Sequence, residues 1–124
     1  AFDYALSLYS TLGMVRGAPS RSRALREAFR LLRPGGRLAL HAHNLWVQAA
    51  FPGGRGRLVG QLLRRLRGGP DAGDSPMTYR GVPNLYVHMF TMRELRGLLG
   101  VAGFAVEEVV PLGIDGRPLA RGRL

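Results

Sequence analysis

Residues 25–43 read LREAFRLLRPGGRLALHAH, and the parsing of this stretch decides the fold. Leu25, Ala28, Phe29 and Leu32 recur at i, i+3, i+4 and i+7, the spacing of one helix face. Arg23, Arg26, Glu27 and Arg30 occupy the other face, and Ser20 or Ser22 is placed to cap the start. Arg33-Pro34-Gly35-Gly36 ends the helix, because proline cannot continue it and glycine permits the chain to reverse. Arg37–His43 then predicts a buried strand. Upstream, Phe2–Tyr9 (FDYALSLY) is apolar and aromatic-rich and predicts a strand buried on both faces, as in parallel sheets. Strand, helix, tight turn and strand in that order make a βαβ unit, with parallel strands and a right-handed crossover expected.

Beyond His43 the pattern changes. Leu45–Phe51 is long enough for one or two helical turns, which Pro52-Gly53-Gly54 breaks. Arg57–Arg67 is a basic amphipathic helix with Leu58, Leu62 and Leu66 along one stripe. Gly68–Pro76 is a polar loop rich in Gly and Pro, and Leu85–Phe90 has the composition of a short strand. Asn44–Asn84 therefore reads as an insertion, occupying about residues 44–90 with its trailing strand. Connections this long are often functional lids, so the segment is expected to select substrate and not to belong to the core scaffold. Thr91-Met92-Arg93-Glu94 is a reciprocal capping box in front of a helix with Leu95, Leu98, Leu99 and Ala102 on one face. Gly103 stops that helix, and Phe104–Leu112 (FAVEEVVPL) predicts a third strand, with Phe104–Val110 in the same sheet as the first two.

A length of 124 residues suits one domain. No apolar run approaches the length of a membrane-spanning helix, and no basic start precedes an apolar stretch as in a signal peptide. A cytoplasmic location is the resulting expectation. The chain has no cysteine, which excludes disulfides and thiolate metal sites. Its net charge is +10, and all 18 basic residues are arginine. Such a field attracts anions, whether nucleic acid or phospholipid.

Four segments together resemble the class I S-adenosylmethionine-dependent methyltransferases. Phe2–Tyr9 is similar to the family's fourth strand. Leu25–Leu38 is similar to its helix, L-(R/K)-P-G-G turn and fifth strand. Phe90-Thr91-Met92-Arg93-Glu94-Leu95, leading to Ala102-Gly103-Phe104, resembles its "(F/Y)-T-x-x-E-L … A-G-F" passage, and Val106–Leu112 its sixth strand. The resemblance implies a Rossmann-like, doubly wound, mostly parallel α/β sheet, here incomplete and corresponding to the C-terminal half of the domain. The family's glycine-rich cofactor loop has no counterpart: Gly35-Gly36, Gly53-Gly54 and Gly68-Gly69 do not follow a strand and open a helix. That loop is expected upstream of Ala1, and the chain is expected to be an inactive fragment of a longer enzyme.

The implied cofactor is S-adenosyl-L-methionine, and the acceptor is expected to be a small molecule. Ligands of open α/β sheets lie beyond the carboxyl ends of the strands. Ser7, Leu8 and Tyr9 are therefore the candidate cofactor-binding residues. His41, His43 and Asn44, at the end of the second strand, are candidates for substrate binding, either histidine serving as base or hydrogen-bonding group. Trp46, Tyr79 and His88 are further candidates for the substrate pocket. Methyl transfer is an in-line displacement governed by alignment, so no catalytic signature is required and none is assigned. No metal site is expected. Arg55, Arg57, Arg64, Arg65 and Arg67 leave two other readings open: a tRNA-modifying enzyme that grips RNA, or a non-enzymatic Rossmann-like binding module.

Overall fold

The computed structural model describes residues 1–68, 74–79 and 81–119, and for 75–79 the backbone only. Within them the chain is mixed α/β. Strand β1 (Phe2–Ser7) leads through a short helix α1 (Thr11–Met14) into helix α2 (Ala18–Leu31), which returns as strand β2 (Leu32–Leu40). The strands are parallel neighbours, with Tyr4 opposite Arg37 and Ser7 opposite Leu40. The expected βαβ order and strand direction are thus present. The Arg33–Gly36 turn is a bulge inside the pairing, between the Phe2–Leu32 and Tyr4–Arg37 partners. Asp3 closes it with an ion pair to Arg33.

Three local expectations need correction. Helix α2 is capped not by Ser20 or Ser22 but by Gly17, at φ 81°, with Pro19 in the first turn. Proline fits there because the first-turn amides have no helical partner. The ladder of β2 stops at Leu40, although His41 still donates its amide to the Ser7 carbonyl at 2.8 Å. Phe104–Leu112 forms no strand, and Ala105 to Val110 are exposed. A strand needs a neighbour for its amides and carbonyls; among the described residues only Leu112 pairs, in an isolated bridge to Pro118.

The core explains the β1–β2 layer. Leu38, Leu40 and Ala42 point inward onto Leu12, Leu25, Phe90 and Ala102, with Leu95, Leu98, Leu99 and Phe104 around them. Phe104 meets Phe29 edge to face, ring centroids 5.2 Å apart. Helices α2 and α4 (Met92–Ala102) pack against each other over this side of the strands. The opposite side is open: Phe2, Tyr4 and Leu6 are 62, 73 and 70% exposed. The expectation that β1 is buried on both faces does not hold within the described residues.

The stretch expected as an inserted lid is built into the interior. Leu45–Ala50 forms a 3-10 turn capped by Asn44, whose side chain accepts from the Trp46 amide at 3.1 Å. Helix α3 (Gly54–Leu66) starts three residues before the expected Arg57, and its first residue packs so tightly on the Gln48 carbonyl that a Cβ on Gly54 would overlap it. Leu45, Leu58 and Met89 then make a second core, with Leu62 against it. Strand β3 (Asp74–Tyr79), in a region expected to start as loop, pairs antiparallel with β4 (Val82–His88). Past β4, Phe90 exchanges backbone bonds with the chain leaving β2: Phe90 donates to His43 and Leu45 donates to Phe90, each at 2.9 Å. Part of the segment, Leu45 and Leu58 with Leu62, is thus packed into the interior beside Met89.

Candidate functional site

The carboxyl ends of β1 and β2 carry the first cluster. After Ser7 the chain turns abruptly through Leu8, Tyr9 and Ser10, the last two left-handed at φ 54° and 57°. Neither is glycine, and each such residue costs on the order of 1–3 kcal/mol unless its surroundings impose it. The surroundings do impose it on Ser10. It is fully buried, its amide donates to His41 Nδ1 at 3.2 Å, and its hydroxyl accepts from the His43 amide at 3.2 Å. The close approach of Gly13 holds the same turn, since a Cβ there would lie 2.7 Å from the His88 carbonyl and 2.9 Å from the Ser10 hydroxyl.

His41 and His43 sit side by side, ring centroids 5.5 Å apart. Burial lowers the His43 pKa below its usual 6.5, and the neighbouring His41 lowers it further. His43 is thereby held in the neutral form that a general base requires near neutral pH. Asn44 is exposed and spends its side chain on the Trp46 cap. A small cavity of about 40 Å³ lies between His43, Asn44, Phe90 and Met92. The larger concavity, about 480 Å³ and shallow, lies along α4 between Arg65, Glu94 and Val101, away from Ser7–Tyr9.

The expected cofactor residues remain together at the sheet edge, with Tyr9 79% exposed and Leu8 47%. Trp46, 53% exposed, stands on the 3-10 turn. Tyr79 lies in β3, and its side chain falls outside the described residues. His88 does not share a pocket with His41 and His43. It is 1% exposed, below the Ser10–Gly13 turn, with its ring 4.7 Å from that of Phe90.

His88 is the centre of a second, buried cluster. Its Nδ1 meets Asp74 Oδ1 at 2.7 Å and its Nε2 meets Glu94 Oε1 at 2.6 Å. Each ring nitrogen of His88 thus faces one carboxylate. The other Glu94 oxygen accepts from Arg65 Nη2 at 3.0 Å, and the same nitrogen donates to the Met89 carbonyl at 3.1 Å. On the far side the Tyr86 hydroxyl accepts from Arg21 Nη1 at 3.1 Å. Burial, then the nearby Asp74 carboxylate, raises the Tyr86 pKa despite Arg21, so it stays a proton donor. The chain Arg21–Tyr86–Asp74–His88–Glu94–Arg65 thus ties together α2, β4, β3, α4 and α3. Arg21 is fully buried, and among the described residues its Nε and Nη2 meet no hydrogen-bond partner.

Composition and motif gave little sign of this relay. Glu94 was expected to close the capping box, and Thr91 does accept from the Glu94 amide at 3.2 Å. The Glu94 carboxylate instead turns to the His88 ring and the Arg65 guanidinium, and a bond to a guanidinium is stronger than one to a helix amide. The usable signal was alternation: Tyr86, His88 and Phe90 share one side of a strand whose other side carries Val87 and Met89.

The relay makes stability acid-sensitive. Burial pushes Glu94 up, but the hydrogen bond and charge of His88 and the charge of Arg65 outweigh it, and its pKa is lowered from 4.5. A lowered carboxylate contributes stability that is complete above 4.5 and is lost as pH falls through the folded value. Lowered His43 acts in the same sense but earlier: below 6.5 the unfolded chain takes up the proton first. Urea midpoints are expected to decline in two stages, below 6.5 and again below 4.5. His43→Asn should remove the first stage and Glu94→Gln the second; a flat profile over both ranges would show that neither environment matters.

Among the described residues no group of three His, Cys, Asp or Glu side chains is arranged to hold a metal ion. Among the described residues no helix is long and apolar enough to cross a membrane. The chain matches no family model, no curated protein and no solved structure.

Proposed function

We propose that these residues are the carboxyl-proximal part of a Rossmann-like, S-adenosyl-L-methionine-dependent methyltransferase acting on a small-molecule acceptor. The observation that carries this reading is the strained Tyr9–Ser10 turn at the carboxyl end of a parallel strand, locked to the paired histidines of the next strand. In open α/β sheets this is where ligands are bound, and backbone strain concentrates where a chain must meet a ligand. Ser7, Leu8 and Tyr9 offer backbone groups and one exposed ring to the methionine end of the cofactor. His43, held neutral, is the residue to accept a proton from an acceptor hydroxyl or ammonium while the sulfonium methyl is transferred. The cofactor supplies the electrophilic methyl group; the chain supplies alignment and a proton acceptor.

The glycine-rich loop that would hold the ribose and adenine is not among these residues, so residues 1–124 by themselves should bind S-adenosylmethionine weakly or not at all in calorimetry. The reading frame extended upstream through such a loop should bind it in the micromolar range. Tyr9→Pro, which cannot adopt the positive φ, should then weaken binding by roughly tenfold or more. Micromolar binding by residues 1–124 would contradict the division of the site. Absence of binding by the extended chain would overturn the methyltransferase reading itself.

A further inference from the structure

Helix α3 carries apolar residues on two sides, and the core explains only one. Leu58 and Gln61 are buried against the 3-10 turn and Met89, and Arg65 is held by Glu94. On another side Val59, Leu63 and Leu66 fall at i, i+4 and i+7 and are 56, 49 and 84% exposed. The helical turn of 3.6 residues places Arg55 and Arg67 on the two borders of this stripe. Arg57 and Arg64 are also exposed, and residues 44–68 contain no Asp or Glu. On the 3-10 turn that packs against α3, Trp46 and Phe51 are 53 and 50% exposed.

We propose that this face of α3 is a docking surface for an anionic lipid bilayer, with the helix lying in the plane of the headgroups. A stripe of large aliphatic side chains bordered by cations, on a segment that itself carries no Asp or Glu, complements a negative headgroup layer over hydrocarbon. RNA fits less well. Arginines meet its phosphates equally, but Val59, Leu63 and Leu66 offer no ring faces for bases to stack on. The stripe would stay in water on RNA, whereas a bilayer removes it from water together with the charge contact. The surface also differs from the His41–His43 edge, so it is independent of the methyl-transfer reading.

The test uses the full chain and phosphatidylcholine vesicles with or without phosphatidylserine. Co-sedimentation should require phosphatidylserine and weaken as salt is raised. Leu63→Glu combined with Leu66→Glu alters only exposed and half-exposed positions, and should reduce vesicle binding by roughly tenfold or more with an unchanged circular dichroism spectrum. Because the chain has no cysteine, Leu66→Cys gives one labelling site. An environment-sensitive dye there should shift to the blue when phosphatidylserine vesicles are added. The proposal is overturned if the chain does not sediment with these vesicles, if the double glutamate variant binds them unchanged, or if the dye stays in water. Binding of single-stranded RNA that excludes the vesicles and ignores the double substitution would assign the arginines to RNA instead.

Discussion

His88→Ala is expected to cost about 3–5 kcal/mol of folding stability, the range found when one member of a buried ion pair is removed. The cost arises less from the lost ring than from what it leaves behind. Asp74 and Glu94 keep side chains only 22 and 26% exposed and would face each other across an empty space without the ring between them. The packing of His88 on Phe90 is lost as well, and Phe90 belongs to the main core. Marginal domains hold only about 5–15 kcal/mol in total, so the variant should be largely unfolded on mild warming. The charge explanation has a direct check in urea titrations. Adding Glu94→Gln to His88→Ala should recover part of the loss, because one stranded carboxylate becomes neutral. A single-variant loss below about 1 kcal/mol, or no recovery in the double variant, would show the cluster to be electrostatically idle.

Replacing residues 44–84 by a short linker is expected to abolish folding, not merely substrate choice. The exchange removes Leu45 and Leu58 from the second core and leaves Met89 with nothing to pack against. It also removes Arg65 and Asp74, and with them two of the three side-chain bonds that hold Glu94 and His88. Each large apolar side chain contributes roughly 1.5–3 kcal/mol on burial, and the stranded Glu94–His88 pair adds to the loss. Far- and near-ultraviolet circular dichroism should both report collapse. A cooperatively unfolding variant of near-normal stability would return the segment to the status of a lid.

The βαβ half of the fold was readable because its signals are local. Leu25 and Phe29 mark a helix by spacing, the Arg33–Gly36 turn stops it, and Leu38 and Leu40 continue as the inward positions of a strand. The rest depended on distant partners. Phe104–Val110 has strand composition, yet composition supplies no neighbouring ladder, and the segment stays exposed. Asp74 looked like a loop residue, and only its register opposite His88 makes it part of a charge relay. Ser20 and Ser22 looked like caps, but Gly17, with Pro19 in the first turn, starts the helix earlier. Among the candidate residues, His41 and His43 were legible from their alternation on one strand. Their connection through Ser10 was not, because it rests on a left-handed turn that no local propensity favours.

The bond from Arg21 to Tyr86 joins residues 65 positions apart, and it bears on how the chain is made. Synthesis runs from the amino end, so β1, α2 and β2 emerge well before Tyr86, His88 and Phe90, which complete their burial. At about 5–20 residues per second, the roughly 50 residues from Leu40 to Phe90 take some three to ten seconds. Throughout that interval Leu25, Leu38 and Leu40 lack their covering ring, and Arg21 has no hydroxyl to meet. The nascent βαβ unit therefore keeps apolar surface in water over that interval, and a translational pause placed between Leu40 and Phe90 would lengthen its exposure more than a pause anywhere later in the message.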